Sequence, residues 1–299
     1  MPWIGTPDDE QIFKGHPACA GCGMALGVRH LLQVSGDDTV LVIPASCASV
    51  MQGVYPYTST DIPVVHTAFA AAPSTASGIR MSYERQDEDA NVVVLAGDGA
   101  TTDIGLASLS GTLERDDDIL YVLYDNEAYS NTGFQKSGRT PQGARTTTTP
   151  TGRVGAQKDV AEIVAAHDPA FMATASPAFL NDLRRKVEQG LDAEGTAFLH
   201  LHSPCPPGWR IDASETVEVA KLAVASGIWV LYERERGGDY QINQPSKAAF
   251  RNPDEVDDYL EAQGRFSTAK DGDVEAMRAQ ARRNIEHFSA YLEAEVASQ

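Results

Sequence analysis

The sequence predicts an α/β fold, with a doubly wound, mostly parallel sheet and helices on both faces. Short apolar runs alternate along the chain with segments whose apolar residues recur every three or four positions. Such alternation of strand and helix is typical of parallel sheets. A further observation is NVVVLAGDGATTDIG at 91–105, where an apolar run ends in a Gly-Asp-Gly turn. Folds of this class bind ligands at the carboxyl ends of their strands, so this turn marks a candidate site.

The predicted elements follow the apolar pattern in chain order. Strands are predicted for TVLVI at 39–43, VVVLA at 92–96, ILYVLY at 119–124, AFMATA at 170–175 and AFLHLHS at 197–203. Helices are predicted near 24–34, 67–84, 103–115, 159–166 and 177–191. The alternation of these elements accounts for the first two thirds of the chain.

The residues after the Gly-Asp-Gly turn distinguish a hairpin from a helix. An Asp-Gly pair after an apolar run is a common hairpin signal. A hairpin needs a second alternating strand, and none follows. Leu106, Leu109 and Leu113 instead share one face of a helix. A helix that begins here offers free backbone amides and the positive end of its dipole to a ligand at the sheet edge.

The strand–helix pattern also suggests how the chain is divided. Residues 1–225 are predicted to form the ligand-binding domain, and residues 226–299 a helical extension that packs on it or on a partner subunit. A charged helix is predicted over 273–297. The segment 131–158, rich in Thr, Gly and basic residues, is predicted to be a long loop over the active edge. Its arginines, Arg139, Arg145 and Arg153, are either solvated charges or contacts for phosphate or carboxylate groups of a substrate.

Charge and hydropathy exclude several classes of partner. The chain carries a net charge of −18 at pH 7, so nucleic acids and anionic membranes are not expected to bind it. It has no apolar stretch of the roughly 18 residues that a membrane span needs, and no secretory signal pattern at its start. A cytoplasmic location is therefore expected.

The acidic excess is spread along the whole chain, which suggests a surface suited to high salt. Dissolved salt screens the repulsion between like charges. The melting temperature should therefore rise when KCl is increased from low to molar concentration. A melting temperature that does not rise would contradict this interpretation.

Polar groups at the ends of two predicted strands form a candidate metal and diphosphate site. Asp98 ends one strand and Asn126 follows the next, with one helix between them. Together with the main-chain carbonyl of Ala128 they offer the hard oxygen ligands that Mg²⁺ requires. The backbone of the three residues around Asp98 is expected to approach the diphosphate closely: Gly97, Gly99 and Ala100. The alternative is a plain strand-to-helix turn in which Asp98 caps the helix.

Four cysteines form a second candidate site: Cys19, Cys22, Cys47 and Cys205. In a reducing compartment, four cysteines with one C-x-x-C pair favour a metal site over disulfides. Four thiolates suit either zinc or a [4Fe-4S] cluster. Two of the cysteines stand alone, each after a predicted strand, which favours the cluster, although they also fit buried small residues. Ser46, beside one of them, is a candidate hydrogen-bond donor to the cluster or the cofactor.

Three histidines are weaker candidates. His66 ends an apolar run before a predicted helix, and fits either a cofactor contact or a hydrogen-bonded core residue. His200 and His202 alternate on one predicted strand and therefore share a face. With no third ligand in view, a zinc site there is not expected.

GDGATTDIG followed by DNEAYSNTG resembles the thiamine diphosphate motif. Over about residues 14–215 the chain is similar to the β subunits of 2-oxoacid:ferredoxin oxidoreductases, in particular the pyruvate-oxidising enzymes. The resemblance implies a thiamine diphosphate-binding fold in which Asp98, Asn126 and the Ala128 carbonyl hold Mg²⁺. It places Asn131, the candidate catalytic residue, beside the thiazolium and the substrate. It also matches all four cysteines to the ligands of a [4Fe-4S] cluster near the cofactor.

The resemblance implies oxidation of a 2-oxoacid, most simply pyruvate, with coenzyme A to acyl-CoA and CO₂, and transfer of the electrons to ferredoxin. It further implies an obligate α subunit that supplies the Glu that activates the cofactor. Branched-chain, aromatic and 2-oxoglutarate substrates remain alternatives. An alternative from another class is a cluster-free thiamine diphosphate decarboxylase or carboligase with structural zinc. A small electron carrier would fit the acidic surface but would leave the Gly-Asp-Gly motif unexplained.

Overall fold

One mixed sheet runs through the centre of the molecule, and helices cover both of its faces. The computed structural model describes residues 10–297. The strands are β1 (Thr39–Pro44), β2 (Val64–Thr67), β3 (Asn91–Gly97), β4 (Leu120–Asp125), β5 (Phe171–Ala175), β6 (Ala197–His202), β7 (Tyr232–Glu235) and β8 (Gln241–Ile242). Their order in the sheet is β2-β1-β3-β4-β6-β5-β7-β8, and β1 to β6 are mutually parallel. The predicted α/β class with a mostly parallel sheet is confirmed.

Helices connect the strands and cover the sheet. They are α1 (Gly23–Ser35), α2 (Cys47–Gln52), α3 (Ala72–Gln86), α4 (Leu106–Arg115), α5 (Val160–Ala165), α6 (Leu180–Asp192), α7 (Pro206–Trp209), α8 (Thr216–Ala225), α9 (Gln244–Arg251), α10 (Val256–Glu261) and α11 (Asp271–Ala297). A π-helix, Gly99–Ile104, precedes α4, and a 3-10 turn, Gly264–Phe266, precedes α11. Among residues 10–297, none of the helices has the combination of length and apolar composition that a membrane span requires.

The central strands read as continuous apolar runs because both of their faces are buried. Along β3, Val93 and Leu95 pack on the face covered by α1 and α6, while Val92 and Val94 pack on the opposite face. Burial on both sides is the usual state of parallel strands between two layers of helices. A separate apolar cluster, which includes Trp209, joins α8, α10 and the start of α11.

Each strand predicted from an apolar run is present to within a residue or so of its predicted bounds. The helix expected from residue 67 begins at Ala72, because residues 64–67 form the edge strand β2. The sheet crosses the boundary predicted at residue 225, since β7 pairs antiparallel with β5 and β8 pairs with β7. The part of the extension that the structure describes therefore contains strands as well as helices. The division into two domains stays a prediction.

Lys186 is an ionisable group enclosed in this core. Its ammonium donates to the Thr174 carbonyl and to Asp182, each at 2.7 Å. Burial lowers the pKa of Lys186 from its ordinary value of 10.5 to about 8, although Asp182 opposes the shift. The unfolded chain therefore binds more protons than the folded chain between about pH 8 and 10.5, so stability should rise with pH across that range.

We expect Lys186→Met to remove the rise in stability between about pH 8 and 10.5. The free energy of unfolding of the unmodified chain should gain up to ~3 kcal/mol between pH 8 and 10.5 relative to the variant. Urea unfolding at several pH values measures the difference. Lys221→Met, the same change at an exposed lysine, should leave the rise in place. A parallel pH dependence for Lys186→Met and the unmodified chain would contradict the prediction.

Candidate cofactor site

The register of β3 and β4 brings the two predicted carboxyl-end motifs together. Gly97 pairs with Tyr124 in parallel register, so the residues that follow each of them leave the sheet at the same edge. Asp98 comes directly after Gly97, and Asn126 lies two residues after Tyr124. Both side chains are almost fully buried, and they face one another across the gap between the strand ends.

Four oxygen-bearing groups converge at this edge. One polar atom of the Asn126 side-chain amide lies 3.1 Å from Asp98 Oδ1, 2.8 Å from the Ala128 carbonyl oxygen and 2.9 Å from Ser130 Oγ. An amide can be placed with either its nitrogen or its oxygen at that point. The nitrogen would donate to these oxygens in the metal-free chain. The oxygen would join the oxygens of Asp98 and Ala128 as a third ligand around a cation.

The donor set fits Mg²⁺. Neighbouring ligands of an octahedral magnesium, each about 2.1 Å from the ion, lie about 3 Å apart. That spacing matches the 2.8 and 3.1 Å that separate the Asn126 amide from Ala128 and Asp98. The second carboxylate oxygen of Asp98, Oδ2, is buried and has no hydrogen-bond partner. Burial, together with the nearby Asp125, raises the pKa of Asp98 well above its ordinary value. A bound divalent cation would offset the free-energy cost of keeping this buried carboxylate charged.

A cavity of about 270 Å³ opens beside these oxygens. Its lining includes every residue predicted for the cofactor: Ser46, Gly97, Asp98, Gly99, Ala100, Asn126, Ala128 and Asn131. Sequence reasoning did not single out Phe69 and Tyr129, whose rings also line it and lie 6.1 Å apart. The roles of these residues stay predictions, but the structure places all of them around one space.

Gly99 is required where the chain turns from β3 into the π-helix. A methyl group added at Gly99 would overlap the ring of Tyr129, while one added at Gly78 in α3 would meet nothing. We expect Gly99→Ala to displace Tyr129, to lower stability by about 1–3 kcal/mol and to weaken thiamine diphosphate binding more than about tenfold. Gly78→Ala is the control and should gain up to about 1 kcal/mol from helix propensity alone. Urea unfolding and calorimetric titration measure the two effects. Unchanged cofactor affinity in Gly99→Ala would contradict the prediction.

A buried ion network supports the loop between the proposed ligands. Asp125 accepts hydrogen bonds from Arg139 Nε at 2.7 Å, from His200 Nε2 at 2.8 Å and from the Glu127 amide at 3.1 Å. Although burial acts in the opposite direction, Arg139 and His200 hold the pKa of Asp125 below its ordinary value. The carboxylate therefore stays charged and anchors the backbone immediately after Asn126.

Two loop arginines are structural rather than free for phosphate groups. Arg139 and Arg153 are only 6% and 8% exposed. Arg153 donates to the carbonyls of Gly138, Thr140 and Ala156, and Arg139 also donates to the carbonyl of Lys158. The expectation of solvated charges or phosphate contacts is therefore wrong for these two. Only Arg145 keeps partial exposure.

The predicted cysteine site lies next to the same cavity. Cys47 begins α2 and lines the cavity wall, and it interacts electrostatically with the other three cysteines and with Asp98. The segments that carry Cys22 and Cys205 are joined by a hydrogen bond from the Gly23 amide to the Pro204 carbonyl, at 3.1 Å. Burial raises the pKa of Cys47 to about 12 and that of Cys205 to about 11. A bound metal centre would have to displace those protons.

Among the described residues, no three His, Cys, Asp or Glu side chains converge closely enough to hold one metal ion. Cys47 lies within electrostatic range of the other three cysteines, but the four thiols do not form a ready-made metal shell. His66 is exposed and hydrogen-bonds the Gly53 carbonyl at 2.8 Å, so it is not a core residue, and it is not among the residues that line the cavity. His200 and His202 share a face as predicted, and both are buried.

Comparison with known proteins agrees with the fold and the motifs. Residues 44–201 match the family described as the C-terminal TPP binding domain of thiamine pyrophosphate enzymes. The chain is 45% identical to pyruvate synthase subunit PorB of Methanothermobacter marburgensis, over 87% of this chain and 91% of that one. It is 42% identical to ketoisovalerate oxidoreductase subunit VorB of Pyrococcus furiosus, over 92% and 91% of the two chains.

A solved structure shows a similar fold. It is a 2-oxoglutarate:ferredoxin oxidoreductase from Magnetococcus marinus, with a TM-score of 0.59 and 23% identity over 73% of this chain and 80% of that one. The family match covers the strand ends that carry Asp98 and Asn126, and the relatives align over almost their whole length. The chain therefore belongs to the thiamine pyrophosphate-binding β-subunit family of 2-oxoacid:ferredoxin oxidoreductases, the family that includes PorB and VorB.

Proposed function

We propose that this chain is the β subunit of a pyruvate:ferredoxin oxidoreductase, that it holds thiamine diphosphate through Mg²⁺, and that it binds one [4Fe-4S] cluster. One observation carries the proposal. The Asp98, Asn126 and Ala128 oxygens converge in a cavity whose wall also contains Cys47. A single edge of the sheet thus offers hard ligands for a metal diphosphate and thiols for a redox centre.

Each residue of the site has a distinct task in this proposal. Thiamine diphosphate, when bound, supplies the electron sink for decarboxylation of a 2-oxoacid. Asp98, Asn126 and the Ala128 carbonyl would hold Mg²⁺, and the amides that follow Asp98 would receive the diphosphate. Ser46 and Asn131, on the cavity wall, would orient the cofactor and the substrate.

The cysteines would place a cluster within electron-transfer reach of the same cavity. Cys47 lines the cavity directly, and Ser130, another lining residue, lies close enough to Cys205 to lower the pKa of its thiol, although burial raises it. Cys19 and Cys22 would complete the four ligands from the segment before α1. Because four cysteines can ligate only one such cluster, further clusters on the route to ferredoxin would lie in other subunits.

The composition of the cavity supports the need for a partner subunit. Of the described residues that line it, Asp98 is the only carboxylate, and none is a glutamate. Asp98 is committed to the metal, so the Glu that activates the cofactor would come from an α subunit. PorB and VorB are themselves named as subunits of their enzymes.

The experiment is purification of the chain without oxygen, alone and in complex with its α subunit. The complex should contain Mg²⁺, thiamine diphosphate and about four irons per chain, with a broad absorbance near 400 nm that dithionite bleaches. It should reduce a viologen dye with pyruvate and coenzyme A. The isolated chain should turn over poorly. A colourless protein that contains one zinc would instead support the decarboxylase or carboligase alternative, and robust activity of the isolated chain would contradict the need for a partner.

The substrate within the 2-oxoacid class is tested in the same assay. The relatives include both a pyruvate enzyme and a ketoisovalerate enzyme at similar identity. We propose pyruvate because DIGLASLSG and EAYSNTG resemble the pyruvate enzymes more than the 2-oxoglutarate enzymes. A panel of pyruvate, ketoisovalerate and 2-oxoglutarate should give the highest kcat/KM with pyruvate. A preference for ketoisovalerate would move the assignment to the branched-chain enzymes.

A further inference from the structure

We propose that Arg265, near the C-terminal end of the chain, is a positioning residue for the metal-binding loop formed by residues 126–128. The inference rests on the proposed function, because it takes Asn126 and the Ala128 carbonyl as metal ligands. It assigns a functional role to a part of the chain that carries no cofactor motif of its own. Arg265 would act through Glu127, the residue between the two ligands.

Glu127 has an unusual backbone conformation. Its φ is 61°, in the left-handed region that non-glycine residues seldom adopt. This conformation sets the direction of the peptide that leads to Ala128, and therefore the direction of the Ala128 carbonyl. Something must hold Glu127 in place for the carbonyl to face Asp98 and Asn126.

Arg265 supplies the charge that holds Glu127. Its Nη2 lies 2.6 Å from Glu127 Oε2, and the two side chains are only 3% and 4% exposed. The contact is an ion pair without the alignment of a hydrogen bond, since Glu127 Oε2 has no hydrogen-bond partner. A buried carboxylate without a counter-charge is costly, so loss of the arginine would drive Glu127 out of this position. Movement of Glu127 would turn the Ala128 carbonyl away from the metal.

A second contact connects Arg265 to the same loop. Its guanidinium carbon lies 3.7 Å from the centre of the Trp209 ring, at stacking distance. Trp209 Nε1 in turn donates to the Asn126 main-chain carbonyl at 2.8 Å. The indole thus contacts both the loop and Arg265, while the charge of Arg265 reaches the loop through the Glu127 side chain.

The position of Arg265 is itself well defined. Its Nε donates to Gln263 Oε1 at 2.9 Å, and its carbonyl accepts from the Arg145 amide at 2.7 Å. The residue sits in the short 3-10 turn between α10 and α11. The turn between α10 and α11 therefore holds a fixed cation beside the metal-binding loop. The hydrogen bond from the Arg145 amide connects this turn to the long loop as well.

The test uses the complex of the chain with its α subunit. Thiamine diphosphate binding is measured calorimetrically over a series of MgCl₂ concentrations, and kcat is measured at saturating Mg²⁺. We expect Arg265→Gln to raise the Mg²⁺ concentration for half-maximal binding about tenfold or more, with kcat at saturation within about threefold. A purely structural arginine would alter stability without this split. Unchanged Mg²⁺ dependence in folded Arg265→Gln would overturn the proposal.

A double variant keeps the test decisive if Arg265→Gln folds poorly. Glu127→Gln/Arg265→Gln leaves no uncompensated charge, and should bring the Mg²⁺ dependence back to within about threefold of the unmodified complex. A folded double variant that needs about tenfold more Mg²⁺ would show that Arg265 does not act through Glu127, and would overturn the proposal. Arg278→Gln, which removes an exposed ion pair with Asp257 in the same region, is the control and should change nothing. An unmodified complex that binds the cofactor without Mg²⁺ would contradict the proposed metal site itself.

Discussion

Replacing Asp98 with Asn is expected to remove Mg²⁺-dependent binding of thiamine diphosphate and to lower kcat/KM with pyruvate by more than about a hundredfold. The amide keeps the size of the side chain but loses the charge that balances the cation. Asp98 lies within 3.1 Å of the Asn126 amide, and no other carboxylate lines the described part of the cavity. No neighbouring carboxylate should therefore be able to replace Asp98 as a metal ligand.

The same substitution should leave the metal-free chain as stable as before, or more stable. Asp98 is 1% exposed and one of its oxygens has no partner, so its charge is costly until a cation binds. Thermal melting with and without Mg²⁺ and thiamine diphosphate separates the two effects. The unmodified chain should be stabilised by the ligands and the variant should not. The result would be a loss of function with no loss of fold.

A matched control for Asp98→Asn is available in the same chain. Asp159 caps α5, where its carboxylate accepts from the Glu162 amide at 3.2 Å. Asn is an equally good helix cap, so Asp159→Asn should leave both stability and cofactor binding almost unchanged. Normal Mg²⁺-dependent binding by Asp98→Asn would contradict the assignment of this carboxylate as a ligand.

Removing the thiol of Cys47 is expected to have the second large effect. Cys47→Ala should lose the absorbance near 400 nm and lower viologen reduction by more than about a hundredfold, while thiamine diphosphate still binds. Cys47 is the proposed cluster ligand that lines the cofactor cavity, and it lies within electrostatic range of Cys205, Cys22 and Cys19. Loss of one of four ligands would leave an iron of the cluster exposed and labile.

Iron and sulfide content, the visible spectrum and cofactor affinity are the measurements for this variant. Ser59→Ala is the control, because it removes a buried polar group from the segment that follows α2, where Ser59 donates to the Met51 carbonyl at 2.6 Å. It should lose some stability but keep the cluster. Cys47→Ala with full iron content and an unchanged spectrum would contradict the proposed cluster.

Local sequence patterns were sufficient to predict the central part of the fold. The runs that form β3, β4 and β6 are apolar along their whole length because both faces of each strand are buried. Burial on both faces produces a run of consecutive apolar residues, and such a run can be recognised in the sequence without the tertiary structure. The helix after the Gly-Asp-Gly turn was predicted on the same basis, from three leucines on one face.

The elements that the sequence did not reveal are those whose stability depends on distant partners. β7 contains Tyr232 and the charged residues that follow it, and it has no continuous apolar run. It is a strand because β5 offers it an antiparallel edge. Arg139 and Arg153 look like solvated charges in the sequence, but the folded loop encloses them with its own carbonyls, and Arg139 also pairs with the Asp125 carboxylate at the end of β4.

The sequence by itself determined which chemical groups stand at the carboxyl ends of the strands: Asp98, Asn126, Cys47 and Cys205. It could do so because motif spacing and strand periodicity are local properties. Only the tertiary structure decided that the Asn126 amide meets Asp98 within 3.1 Å, that Cys47 lines the same cavity, and that Arg265 holds Glu127. Those contacts join residues far apart in the chain, and their geometry depends on how the sheet and the C-terminal helices pack.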